Sequence, residues 1–142
     1  MTIVDANLLL YAYNPDAEQH DRSRRWLEDL LSGGELVRFA WVSVWAFIRL
    51  STNPRVFVRP LSTAEALAIV ASWLAQPNAA IIDPGERHLE LLGEMLDAGQ
   101  ATGPLVMDAA LAAITIEHGA RLCSTDRDFS RFPNLDWVNP IE

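Results

Sequence analysis

Apolar residues recur along this chain at two spacings, and the alternation between them divides it into short strands and longer helices. Thr2 to Val4 is a brief apolar run that reads as a buried strand, followed by a short helix from Asn7 to about Tyr11. Asn14-Pro15-Asp16 makes a turn. From about Ala17 to Leu31, Ser23, Trp26, Leu27, Leu30 and Leu31 fall on one helical face, and Arg24/Glu28 and Arg25/Asp29 pair on the other. Gly33-Gly34 stops this helix. Leu36 to Trp41 alternates as a second strand, and a helix through Trp45, Ile48 and Arg49 ends near Ser51, before the break at Asn53-Pro54.

Ser62 and Glu65 have the spacing of a capping box, opening a helix expected to bury Leu67, Val70, Ala71 and Leu74. Pro77-Asn78 turns into a strand, Ala79 to Ile82. Asp83-Pro84 then offers an N-cap and a first-turn proline for a helix from Gly85 to Asp97. Gly99 to Gly103 is a loop. The helix from Pro104 to Glu117 carries Leu105, Ala109, Ala112 and Ile116 on one face, and its alanines allow close approach to a sheet. Gly119 caps it, Arg121 to Ser124 is a strand, and Trp137-Val138 a short edge strand. Strands alternating with helices give an α/β class, with helices covering a mostly parallel sheet. At 142 residues and 50% hydrophobic, the chain has core enough for one domain over residues 1–142.

Composition narrows the function classes. No run approaches the roughly 18 apolar residues of a membrane span, and no signal-peptide pattern is present, so a cytoplasmic protein is expected. Cys123 is the only cysteine, which excludes an internal disulfide and a thiolate zinc cluster and points to a buried, inert thiol. The formal charge of −8 argues at first sight against nucleic acid, but its distribution is uneven. Residues 22–59 hold seven arginines against three acids, and the rest of the chain four against sixteen; lysine is absent. A locally basic segment can grip a polyanion, and arginine does so through bidentate phosphate contacts.

Three aspartates stand at the places where an α/β fold puts chemistry. Asp5 ends the first strand, Asp126 follows the strand that begins at Arg121, and Asp108 opens the alanine-rich helix. Strand C-termini and helix N-termini share one edge of a parallel sheet, and ligands bind there. If the first strand and the strand at Arg121 are neighbours, the three carboxylates meet in one crevice. Local roles exist for two of them: Asp5 can cap the next helix, and Asp126 can start a turn with Arg127-Asp128. Asp108 lies beside a buried face, where a carboxylate loses hydration unless something pairs with it. The helix terminus offers it only about 0.3–1 kcal/mol. Carboxylates held together repel unless a cation sits among them, and an oxygen-only set suits Mg²⁺ or Mn²⁺ rather than zinc. The first reading is a metal-dependent phosphoryl-transfer site. His20, His88 and His118 have no required part in it.

The residues around these aspartates resemble a known family. Val4-Asp5-Ala6-Asn7, the stretch Val106-Met107-Asp108-Ala109-Ala110-Leu111-Ala112-Ala113, and Ser124-Thr125-Asp126-Arg127-Asp128-Phe129 resemble, in order, the three acidic motifs of PIN-domain nucleases. The compact length is similar to that of the VapC toxins of bacterial toxin–antitoxin modules. The resemblance implies an α/β/α sandwich and a metal-dependent endoribonuclease held off by a small antitoxin protein. Asp5, Asp108 and Asp126 would then hold Mg²⁺ or Mn²⁺, with Asp128 a fourth oxygen, and Asn7 and Thr125 orienting the carboxylates by hydrogen bonds. Arg49 and Arg55 become candidate contacts to RNA phosphates. One departure stands out. The family often places a glutamate where Ala46 lies here, and no acid occurs between Glu35 and Glu65. That gap motivates an alternative, a catalytically weak domain that binds RNA or antitoxin without cutting. A phosphatase using Asp5 as nucleophile expects a second acid at position 7 and a late lysine, and this chain has neither. A homodimer is expected, with the helices bearing Trp45, Phe47 and Trp73 as its interface.

Overall fold

The computed structural model describes all 142 residues. Five short strands, β1 (Thr2–Val4), β2 (Val37–Ala40), β3 (Ala79–Ile82), β4 (Arg121–Cys123) and β5 (Trp137–Val138), form one sheet in the order β3-β2-β1-β4-β5. Every neighbouring pair is parallel. Parallel neighbours need long crossovers. They are supplied by α1 (Ala6–Tyr13) and α2 (His20–Ser32), then α3 (Trp41–Ser51) and α4 (Thr63–Leu74), then α5 (His88–Ala98) and α6 (Leu105–Glu117). The α/β class expected from the pattern is the one observed. The sheet is parallel throughout.

Alternation along the strands separates two cores. Ile3, Ala40, Ile82 and Leu122 point to the face covered by α5 and α6, where Leu91, Met95, Ala109, Ala112 and Ala113 are buried with Phe129. Val4, Val37, Phe39 and Cys123 point to the face covered by α1 to α4, against Leu8, Leu9, Leu27, Val44, Phe47, Val70 and Trp73. The sandwich thus has two helices on one side and four on the other. Burial pushes the Cys123 thiol up to about 12, leaving it un-ionised at neutral pH.

Several boundaries move for local reasons. α2 starts at His20 instead of Ala17, because the Asn14 side chain accepts the Asp16 N–H and Ala17 N–H bonds to Asn14 O, which keeps the chain in turns. Arg24 and Glu28 pair at 3.0 Å, whereas Arg25 and Asp29 do not come within ion-pair range. The Ser62–Glu65 capping box forms, but α4 buries Ala66, Val70 and Trp73, while Leu67 is 57% exposed and Ala71 is exposed as well. The face turns because Trp73 offers more apolar area than any other residue of this helix. It lies stacked on Phe39, with ring centroids 5.2 Å apart, and edge-on to Phe47 at 4.8 Å. Asp83 does not cap α5. That helix begins at His88, and Gly85 and Arg87 donate their N–H groups to the Glu117 carboxylate of α6 at 2.8 and 2.9 Å.

Phe47 and Trp73 are therefore core residues and are unavailable to a dimer interface. Of the three aromatics expected there only Trp45 is exposed, stacked beside Trp41. No helix is long and apolar enough to cross a membrane.

Candidate metal centre

The strand order runs one way from β1 through β2 to β3 and the other way from β4 to β5, so the direction of winding switches between β1 and β4. At such a point the connections leave toward opposite faces and a crevice opens at the strand C-termini. Val4 pairs with Cys123 in this register, and the Asp5 N–H continues the ladder to Cys123 O at 3.0 Å. Asp5 and residues 124–126 thus leave the sheet side by side, although about 120 positions separate them in the chain. α6 crosses beside them, with Asp108 in its first turn.

Each aspartate is placed by backbone geometry. Asp5 caps α1, its Oδ1 accepting the Ala6 N–H at 2.8 Å, so the local role read from the sequence is real and coexists with the crevice. Asp126 caps a short 3₁₀ turn, Arg127–Arg131, and accepts the Asp128 N–H at 2.9 Å. The carboxylate oxygens of Asp108, Asp126 and Asp128 lie within 4.8 Å of one another. Asp5 stands outside this trio but lines the same crevice of about 250 Å³ as Asp108 and Asp126. The opposite wall is α3, through Val42, Ser43, Ala46 and Leu50. At Ala46 this wall offers a methyl group and no carboxylate.

Ser124, which the sequence reading passed over, organises the floor. Its buried Oγ donates to Asp5 Oδ2 at 2.7 Å and accepts from Asn7 Nδ2 at 3.1 Å and from the Asp126 N–H at 3.0 Å. One hydroxyl proton and two lone pairs are all engaged. Asn7 acts on Asp5 through this hydroxyl, and its Oδ1 accepts the Thr125 backbone N–H at 3.4 Å. Thr125 enters this network only through that backbone N–H, and its side chain makes no hydrogen bond to a carboxylate. Arg49 and Arg55 are exposed and neither lines the crevice.

Ser124→Ala removes one donor and leaves Asn7 Nδ2 and the Asp126 N–H without their acceptor. The expected result is a loss of about 1–3 kcal/mol in urea denaturation. A roughly 10- to 100-fold weaker Mn²⁺ affinity by calorimetry should accompany it. Unchanged metal affinity would remove Ser124 from the site.

The electrostatics match the geometry. Burial, and then the charges of Asp126, Asp5 and Asp128, push Asp108 up to about 6, with Arg131 pulling the other way. Asp5 is also raised, chiefly by burial, against the lowering effect of its bonds from Ser124 and Ala6. Such a cluster carries more negative charge than its surroundings neutralise. Its donors are oxygens alone, each with a lone pair to spare. The set fits a hard divalent cation and offers nothing to a soft one.

Comparisons with known proteins agree with this layout. The PIN domain family profile matches residues 2–135. Ribonuclease VapC37 of Mycobacterium tuberculosis is 47% identical over 140 residues, covering 99% of this chain and 97% of that protein. Ribonuclease VapC33 of the same species is 39% identical, covering 99% of both. Among solved structures, VapC20 of Mycobacterium tuberculosis, described as a sarcin-ricin loop cleaving toxin, superposes with a TM-score of 0.68 at 17% identity, over 96% of this chain and 99% of that one. VapBC2 of Rickettsia felis, bound to a promoter DNA fragment, gives 0.70 at 18% identity over 96% of each chain.

Proposed function

This chain belongs to the PIN-domain family, and from that premise we propose that it is a metal-dependent endoribonuclease, the toxin of a toxin–antitoxin pair. The observation that carries the reading is the trio Asp108, Asp126 and Asp128, drawn within 4.8 Å at the β1/β4 switch point. Asp5 stands beside the trio, and full-length relatives are named ribonucleases.

Asp108, Asp126 and Asp128, with Asp5 adjacent, would hold Mg²⁺ or Mn²⁺. Such an ion would offset phosphate charge and activate water, so that a phosphodiester could be opened to a 5′-phosphate and a 3′-hydroxyl. The protein's own part is to fix the ligands. The β1–β4 ladder sets the spacing of Asp5 and Asp126, Ser124 locks the Asp5 carboxylate, and the first turn of α6 delivers Asp108. Leu10, Leu50 and Met107 line the crevice with apolar surface, which strengthens charge interactions inside it. The alternative of a binding module without cleavage is motivated only by Ala46, and relatives named ribonucleases weigh against it.

A small antitoxin is the expected protein partner, since several solved neighbours are VapBC complexes. A homodimer remains part of the proposal, with the exposed Trp41 and Trp45 in place of the buried aromatics. A single working unit over residues 1–142 in the cytoplasm completes it.

The direct test incubates the purified protein with single-stranded RNA in Mg²⁺, in Mn²⁺ and in EDTA. Cleavage in either metal and none in EDTA supports the reading. RNA binding without cleavage in either metal overturns it in favour of the binding module. Ala46→Glu should tighten Mn²⁺ binding, because it adds an oxygen to the open wall; unchanged affinity would show that this wall does not face the ion.

A further inference from the structure

Arg131 closes the 3₁₀ turn that carries Asp128 and holds its side chain at the edge of the acidic cluster. Its Nη1 donates to the Gly99 carbonyl at 2.8 Å, and its Nη2 lies 3.9 Å from Asp128 Oδ1. The first contact is a hydrogen bond. The second is well beyond the 2.7–2.9 Å of a charge-assisted one. The guanidinium is therefore hydrogen-bonded to a neutral carbonyl and only loosely paired with the acid beside it. A guanidinium has five N–H donors, and the Gly99 carbonyl engages only one. A third of the side chain is still open to solvent.

The other arginines of the chain are placed differently. Arg127, beside the same aspartates in sequence, is drawn away to Glu142 at 3.2 Å. Arg49, Arg55 and Arg131 all lie outside the lining of the crevice itself, but of these only Arg131 comes within ion-pair range of an acid of the cluster, Asp128 at 3.9 Å. Arg131 is the cation whose field reaches Asp108. A divalent ion among these carboxylates would offset two of their charges, and the remaining N–H donors of Arg131 stay free for an anion that arrives with it.

We infer that Arg131 contacts the non-bridging phosphate oxygens of RNA bound in the crevice, next to the cation held by Asp108, Asp126 and Asp128. The inference rests on the nuclease reading and names a substrate contact within it. A different role, as a resident counter-ion that merely relieves the metal-free cluster, makes the opposite prediction. Removing a counter-ion should tighten metal binding and leave RNA turnover untouched once metal is saturating.

The test compares wild type with Arg131→Gln and Arg131→Lys at saturating Mn²⁺ on a labelled single-stranded RNA, with Mn²⁺ affinity read separately from the free-ion paramagnetic signal. Arg131→Gln should lower kcat/KM about 10- to 100-fold, the size of one charged hydrogen bond. The dependence of log kcat/KM on log salt should flatten by about 0.7, the share of one phosphate contact on a single strand. Arg131→Lys keeps the charge without the fork and should recover part of the loss. Mn²⁺ affinity should stay level or rise. Unchanged kcat/KM in Arg131→Gln overturns the inference. Should that variant fail to fold, wild-type kcat/KM in Arg131→Lys overturns it equally, because a point charge does not replace a bidentate contact. Wild type that cuts no RNA sinks the nuclease reading as well, whereas active wild type with an active Arg131→Gln sinks this inference alone.

Discussion

Asp108→Asn should lower metal-dependent RNA cleavage by more than about 100-fold, beyond the 10- to 100-fold range of residues that only orient a ligand. The same change should raise the melting temperature of the metal-free protein at neutral pH. Both effects come from one carboxylate that burial and three acidic neighbours hold at a pKa of about 6, against an ordinary 3.8. Because the folded pKa is the higher one, the folded state binds the proton more tightly than the unfolded chain does. The stabilising effect of that proton is complete below about pH 4, declines as pH rises, and is gone above about 6. Asp5, raised in the same direction, adds to the decline. Metal-free wild type should thus melt lower at pH 7.5 than at pH 5 so far as these groups decide it, and Asn at 108 should flatten the Asp108 part of the slope. Mn²⁺ reverses the sign, since a ligand that binds only the folded state stabilises it. Scanning fluorimetry in EDTA and in Mn²⁺ across this range reads all three trends. A cleaving Asp108→Asn protein, or one that melts no higher than wild type in EDTA at pH 7.5, would contradict the assignment.

Trp73→Ala should destabilise the fold by about 3–5 kcal/mol, the usual cost of removing a large buried aromatic. Set against a total stability of about 5–15 kcal/mol, that fraction is large enough to leave part of the protein unfolded at 37 °C. Trp73 sits at the centre of the four-helix side of the sandwich, stacked on Phe39 of β2 and edge-on to Phe47 of α3. Its Nε1 donates to the Tyr13 hydroxyl at 2.9 Å, which ties α4 to α1. Alanine leaves a cavity and an unpaired phenol, whereas phenylalanine loses chiefly the hydrogen bond. Urea midpoints should therefore fall far more for Trp73→Ala than for Trp73→Phe. Equal losses would show that the Nε1 bond, not the packing, holds this corner.

Much of this molecule was legible in its residues because the signals were local. The strands at Thr2, Ala79 and Arg121, the capping box at Ser62 and the edge strand at Trp137 all depend on neighbours in sequence, and each is present. The failures share a different cause. The buried face of α4 is decided by Phe39 and Phe47, which lie in other elements, and the start of α5 by Glu117 on α6. Ser124 illustrates the same limit within the site. Its flanking residues match the family's motif, yet a serine before Thr-Asp is unremarkable until β4 pairs with β1 and brings Asp5 and Asn7 to its hydroxyl. Arg131 sits three residues after Asp128, a spacing that brings the two side chains together only because the segment forms a 3₁₀ turn.

All four aspartates of the crevice and its rim stand where a helix or helical turn begins: Asp5 and Asp126 as caps, Asp108 and Asp128 in first turns. Each such end carries partial positive charge from unpaired backbone N–H groups. The scaffold itself thereby offsets some of the mutual repulsion, and the cage stands ready before any ion enters. Assembly and loading should then be separable, unlike in small zinc domains that fold only around their metal. Chelation should accordingly silence the activity reversibly and leave the circular dichroism spectrum as it was.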